Sequence, residues 1–225
     1  MDTKSLRSKA LFEFVQLILS DSKVQDSAYD LDHVMRVWKI GMQIGETEKA
    51  NLEILEPALL FHDIVRPASF LDEGGERPKS SKIVLRKTKS KDHGSESAAL
   101  SRKILPDFCY KDDEIEKIAH AIESHTSDKK TNPPQTLEAK IVYDADFYDT
   151  LGFSGCARTA LFCAREKMTT SKMAEWYLMR IKNMLRGAPF YTRSAVNLSN
   201  ERLTVSLDFC KELLGKERFE AIMKR

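Results

Sequence analysis

Leu52-Glu53-Ile54-Leu55-Glu56-Pro57-Ala58-Leu59-Leu60-Phe61-His62-Asp63-Ile64 is the stretch from which the rest of the chain can be read. Leu52, Leu55, Leu59 and His62 recur at i, i+3, i+7 and i+10, the spacing of a single helix face. Asn51 stands where an N-cap is expected, and Pro67 and Gly74-Gly75 bound the segment. The spacing therefore predicts a helix that carries His62 inward near its end, with a carboxylate directly after it.

The same device occurs twice more. His33, Val37, Ile40 and Ile44 share a face of a helix over 31–47, begun by Asp30 and Asp32. Ile115, Ile118, Ile122 and His125 share a face of a helix opened by Asp112-Asp113-Glu114, where acid suits the helix dipole. His120 lies about 140° around that helix from His125, on the polar side with Glu116 and Lys117, and receives no site role. His93 opens a further helix that runs to about Leu105 and stops before Pro106. One inward histidine is ordinarily a hydrogen-bonded core residue. Three on separate helices, one followed by an aspartate, point instead to metal ligation. Imidazole with carboxylate suits Zn, Mn, Fe or Co, and helices that each supply an inward ligand can build a metal site in a bundle.

Elsewhere helical periodicity dominates. Leu6, Leu11, Val15 and Ile18 mark a first helix over 5–20, and further helices are expected over Leu137 to about Tyr148, Met173–Arg186 and Glu201–Gly215. Residues 72–92 form a polar stretch with Arg77, Lys79, Lys82, Arg86, Lys87, Lys89 and Lys91, and with Ile83-Val84-Leu85 as one arm of a small β-hairpin on one reading. The expected fold is all-α, a single domain over 1–225 with its core at about 20–215 and a basic loop at 72–92.

Composition excludes several classes. The chain has 225 residues, 42% hydrophobic and 31% charged, and 36 basic against 34 acidic residues give a net charge of +2. That is a globular composition, not a globally basic nucleic-acid binder. Cys109, Cys156, Cys163 and Cys210 form no CxxC pair and are expected to be free buried thiols. With no secretory leader pattern at the N-terminus and no run of about 20 apolar residues, the expectation is a cytoplasmic chain with no membrane association.

Taken in order, these elements resemble the HD superfamily of metal-dependent phosphohydrolases, in particular small bacterial-type members. Asp32-His33-Val34-Met35-Arg36-Val37 resembles the family's first-histidine helix, and Ala58-Leu59-Leu60-Phe61-His62-Asp63-Ile64 its central motif. His93-Gly94-Ser95-Glu96-Ser97-Ala98 and Ile118–His125 resemble two further elements. Lys140-Ile141-Val142-Tyr143-Asp144-Ala145-Asp146-Phe147-Tyr148-Asp149-Thr150-Leu151-Gly152 resembles the closing aspartate element, with Arg158 after it. The resemblance covers roughly residues 20–215.

The resemblance implies that His33, His62, Asp63 and Asp146 bind a metal, and that His93 and His125 provide for a second. Asp144 and Asp146 lie about 200° apart on a helix. The apolar direction of Leu137, Ile141, Ala145 and Tyr148 favours Asp144 as the closing ligand, and the motif favours Asp146. The implied activity is hydrolysis of a nucleotide or related phosphate ester or anhydride by metal-activated water. Asp63 would bind metal and orient the nucleophile, and Arg36, one turn from His33, would by its position meet phosphate charge or form a salt bridge on the helix surface. Asp149 would orient a ligand, meet a sugar hydroxyl or pair locally, and Tyr143, Phe147, Tyr148 and Phe153 would stack on a base or fill core. The cofactor would be one or two divalent ions among Mn, Fe, Co, Zn, Ni and Mg. The partner would be a small phosphate compound, and a homodimer is compatible with the sequence. A di-iron HD-type oxygenase and a non-catalytic, metal-stabilised signalling domain are the competing readings.

Overall fold

A computed structural model describes residues 3–19, 31–65, 93–126, 132–186 and 189–224. Among them every regular element is helical, as the periodicity predicts. The basic run Arg77–Lys91 and the hairpin reading of 72–92 lie outside the described residues. The chain divides into two compact units, Met1–Tyr143 and Asp144–Arg225.

The first unit holds α1 (Thr3–Leu19), α2 (Leu31–Glu48), α3 (Leu52–Phe61), α4 (His93–Ile104), a 3₁₀ turn (Leu105–Phe108), α5 (Asp112–Ser124) and the start of α6 (Leu137–Asp149). Within it α3 is central, packed by α1, α2 and α5, with α4 laid along α5. The stripe read from sequence is therefore only part of its buried surface. Ile54, Ala58, Leu60 and Phe61 are buried together with Leu55 and Leu59, as expected of a helix covered on several sides. Asn51 caps α3 by accepting from the Glu53 N–H at 3.1 Å. Gly41 of α2 faces the Leu59 side chain, where a Cβ would collide with it, so α2 and α3 approach closely at that point.

Several boundaries depart from expectation. In α1 the buried stripe is Leu11, Val15 and Leu19, while Leu6 is 49% exposed, because α1 turns its later residues toward α3. The helix of α3 ends at Phe61, ahead of Pro67, and His62–Val65 turn away from it. As expected α4 stops before Pro106, at Ile104, and Pro106 sits in the first turn of the 3₁₀ segment, where its missing N–H is harmless. That segment closes on Cys109 with φ 59°; Cys109 is exposed, while Cys156, Cys163 and Cys210 are buried. The expectation of four buried thiols is corrected at that one position.

The second unit contains the end of α6, α7 (Gly152–Arg165), α8 (Thr170–Leu185), α9 (Arg193–Leu214) and α10 (Lys216–Lys224). Here α9 packs on α7, α8 and α10. It starts eight residues before the expected Glu201, because Thr192 caps it by accepting from the Ala195 N–H at 3.3 Å. No helix among the described residues is long and apolar enough to cross a membrane.

Candidate metal centre

His62 follows the last residue of α3 and His125 the last residue of α5, and the two rings are held alike. His62 Nδ1 donates to the Leu59 carbonyl at 2.7 Å, and His125 Nδ1 to the Ile122 carbonyl. In each case the acceptor lies three residues back, in a helical turn with unsatisfied carbonyls. The bonds select the tautomer that leaves Nε2 with its lone pair, and the carbonyl end of each helix favours positive character on the ring. His33 is fully buried in α2, His62 is fully buried, and His125 is 5% exposed.

These rings surround one carboxylate. Asp63 Oδ2 lies 3.4 Å from His33 Nε2 and 3.8 Å from His62 Nε2. Its Oδ1 lies 3.2 Å from His93 Nε2 and 3.5 Å from His125 Nε2. The Nε2 atoms of His33 and His62 are 3.4 Å apart. Asp63 thus has two imidazoles on each oxygen. His93, first residue of α4, is the most open ring, its side chain 23% exposed, so the centre meets solvent on that side. Gly94 lets α4 come this close: a Cβ there would strike Thr126 Oγ1 and stand 3.0 Å from the Glu123 carbonyl, beside His125. Ser95 adds a hydrogen bond to Glu123 Oε1 at 3.1 Å.

The donor set fits a divalent cation. Burial pushes the Asp63 pKa up, but the surrounding imidazoles, His62 foremost, hold it well below the usual carboxylate range. Asp63 is therefore an anion. Its Oδ1 is buried and, among the described residues, meets no donor in hydrogen-bonding geometry. A carboxylate kept ionised in a buried setting, with one oxygen outside hydrogen-bonding geometry, calls for positive charge among the rings. Ligand atoms about 2.1 Å from a cation stand about 3.0–3.4 Å apart at octahedral or tetrahedral angles, and the separations here lie close to that range. Asp63, His93 and His125 can accordingly gather around one ion.

The other expected residues are placed as follows. Arg36 is half-buried on α2, one turn beyond His33. Asp146 is half-buried on α6, in the second unit. Asp144 is fully buried, and both its oxygens are engaged inside the second unit. Oδ1 accepts from the Tyr191 N–H at 2.8 Å, and Oδ2 from the Thr192 N–H at 2.8 Å and the Thr192 hydroxyl at 2.7 Å. Its inward direction on the helix reflects the anchoring of the start of α9. Asp149 pairs locally, with Arg158 at 2.9 Å and the Ser154 hydroxyl at 3.0 Å. Phe147 packs on Phe190 with centroids 4.7 Å apart, and Tyr148 lies under Arg202 at 4.4 Å. Phe153 is 80% exposed. His120 accepts from the Gln135 N–H at 3.2 Å. Sequence reasoning gave no role to Ser97, whose hydroxyl meets the backbone of Val65; its position one turn after His93 was the one hint, and nothing in the spacing showed the turn it would face.

Comparison with known proteins identifies the family. YpgQ of Bacillus subtilis (strain 168) is 28% identical over 211 residues, 89% of this chain and 88% of that protein. The crystal structure of Bacillus subtilis YpgQ in complex with ADP matches with a TM-score of 0.64 at 22% identity, covering 94% of this chain and 95% of that one. An HD-superfamily hydrolase from Bacillus thuringiensis matches with a TM-score of 0.62 at 20% identity, covering 95% and 100%. The family model described as the HD domain matches residues 30–151, the segment that holds His33, His62, Asp63, His93, His125 and Asp146. The chain belongs to the HD domain family.

Proposed function

We propose that this chain is a metal-dependent phosphohydrolase acting on a nucleotide or a related phosphate ester or anhydride. The observation that carries the reading is the Asp63 carboxylate, with His33 and His62 on one oxygen and His93 and His125 on the other. Two half-sites sharing one carboxylate suit two cations. Asp146 is the further ligand of the His33 half on the strength of its motif, and because Asp144 is committed to Tyr191 and Thr192.

His33, His62, Asp63, His93 and His125 would hold the divalent metal, which when bound would supply an activated water nucleophile and polarise a phosphoryl oxygen. The chain's own groups do the rest. Asp63 keeps its negative charge in a buried setting and fixes the two half-sites relative to one another. His62 and His125 hold their rings through the Leu59 and Ile122 carbonyls, so no ring reorients as charge develops. Arg36 offsets phosphate charge, and substrate approaches on the solvent-facing side at His93. A nucleotide is favoured as substrate because the related YpgQ was crystallised with ADP.

The test is phosphate release by purified protein from nucleoside mono-, di- and triphosphates with Mn, Co, Mg, Fe or Zn. Release that falls by about 10²-fold or more in His62→Ala and Asp63→Ala supports the reading. No release with any pair, or full rates in both variants, overturns it.

A further inference from the structure

We propose that Ser97 is a positioning residue for the half-site formed by Asp63 Oδ1, His93 and His125, an inference that rests on the metal-centre reading above. Asp63 is not in a helix. It lies in the turn His62–Val65, whose entrance is held by the His62–Leu59 bond and by the Ile64 N–H donating to the Phe61 carbonyl at 3.2 Å. The exit is held by Ser97. Its hydroxyl accepts from the Val65 N–H at 3.1 Å and donates to the Val65 carbonyl at 3.4 Å, so one side chain grips both polar groups of a single residue. Ser97 is fully buried and Val65 is 7% exposed, so water does not replace these bonds.

Ser97 also stands four residues after His93, on the same face of α4. The hydroxyl therefore ties the helix face that carries His93 to the backbone two residues beyond Asp63. It sets the 3.2 Å approach of His93 Nε2 to Asp63 Oδ1. A helical serine usually turns its hydroxyl onto a carbonyl of its own helix. Ser101, one turn later and equally buried, does so, donating to the Ser97 carbonyl at 2.8 Å. Ser97 instead reaches across to another element. His33 is carried by α2 and the His62 ring is held by its bond to the Leu59 carbonyl, so of that half-site only the shared Asp63 lies next to this link.

The experiment is calorimetric titration of metal-stripped protein with manganese(II), with total metal per chain measured alongside. Wild type is expected to take up two ions in separable steps. Ser97→Ala should leave the first step unchanged and weaken the second by about 10–100-fold, the usual effect of removing an outer-shell partner. Ser101→Ala should leave both steps unchanged. If Ser97→Ala does not fold, Ser97→Cys carries the same comparison, since the thiol keeps the shape but bonds weakly. A Ser97 variant that matches wild type in both steps, or that weakens both equally, overturns the proposal and leaves the metal centre standing. Wild-type protein that binds a single ion overturns the proposal and leaves a one-metal centre standing, and wild-type protein that binds none overturns both.

Discussion

Asp144→Ala and Asp146→Ala separate two carboxylates that stand two positions apart on α6. Asp144 accepts three hydrogen bonds of 2.7–2.8 Å, two of them from backbone N–H groups at the start of α9. Hydrogen bonds to a charged partner contribute about 1.5–3 kcal/mol each, and an orphaned buried donor costs about 1–3 kcal/mol. Thr192 keeps its own capping bond to the Ala195 N–H, and the Tyr191 N–H is only partly buried, so the losses are not fully additive. Asp144→Ala is expected to destabilise the protein by roughly 3–5 kcal/mol, lowering the melting temperature on the order of 10 °C. Its metal content should be unchanged at temperatures where it is folded. Asp146→Ala should melt near the metal-free wild type and lose bound metal. Thermal denaturation followed by circular dichroism, with metal quantified in the same samples, reads both. An Asp144→Ala protein as stable as wild type refutes the structural assignment. Metal lost from Asp144→Ala and retained in Asp146→Ala would reverse the two roles.

Chelation should lower the melting temperature of wild type, since a ligand present at 100 times its dissociation constant stabilises the fold by about 2.7 kcal/mol; His62→Ala should be insensitive to chelator, which a melting series with and without EDTA checks. Gly94→Ala should push α4 away from Thr126 and the Glu123 carbonyl, weakening metal uptake at the His93 side more than it weakens the fold, as titration beside a melting curve would show. Alkaline pH should destabilise the chain: burial pushes Tyr110 up to about 12 and Cys210 up to about 12, so the folded state favours their neutral forms. The sign follows directly, with this contribution intact below the unfolded thiol and phenol pKa values and lost, by a few kcal/mol, as pH rises from about 9 to 12; denaturation midpoints that stay constant over that range would contradict it.

The helices and their histidines were legible because 3.6-residue periodicity is a local property. His33 rides a stripe with Val37, Ile40 and Ile44, and all four are buried. The same logic misjudged Leu6, whose exposure depends on where α1 meets α3 rather than on its own spacing. It also left Asp144 and Asp146 unresolved, because the partners that claim Asp144 lie 47 and 48 residues away. Asp149 was open for a related reason, since its pairing with Arg158 depends on how α7 leaves the Thr150-Leu151 turn. Ser97 shows what pattern reading overlooks. A small polar residue on a helix carries no periodic signal, and its role lies in the turn that happens to face it.

The rings of His62 and His125 have one more consequence. Each closes the final turn of its own helix with a side chain whose other nitrogen faces the shared carboxylate. Helix ends ordinarily fray independently and at little cost. Here fraying of α3 or α5 removes a ring from the centre, and disengaging a ring releases a helix end. The two termini therefore open as one cooperative unit with the centre. Slow amide exchange in the last turns of both helices becomes a direct record of how firmly the centre is assembled, readable without any substrate at all.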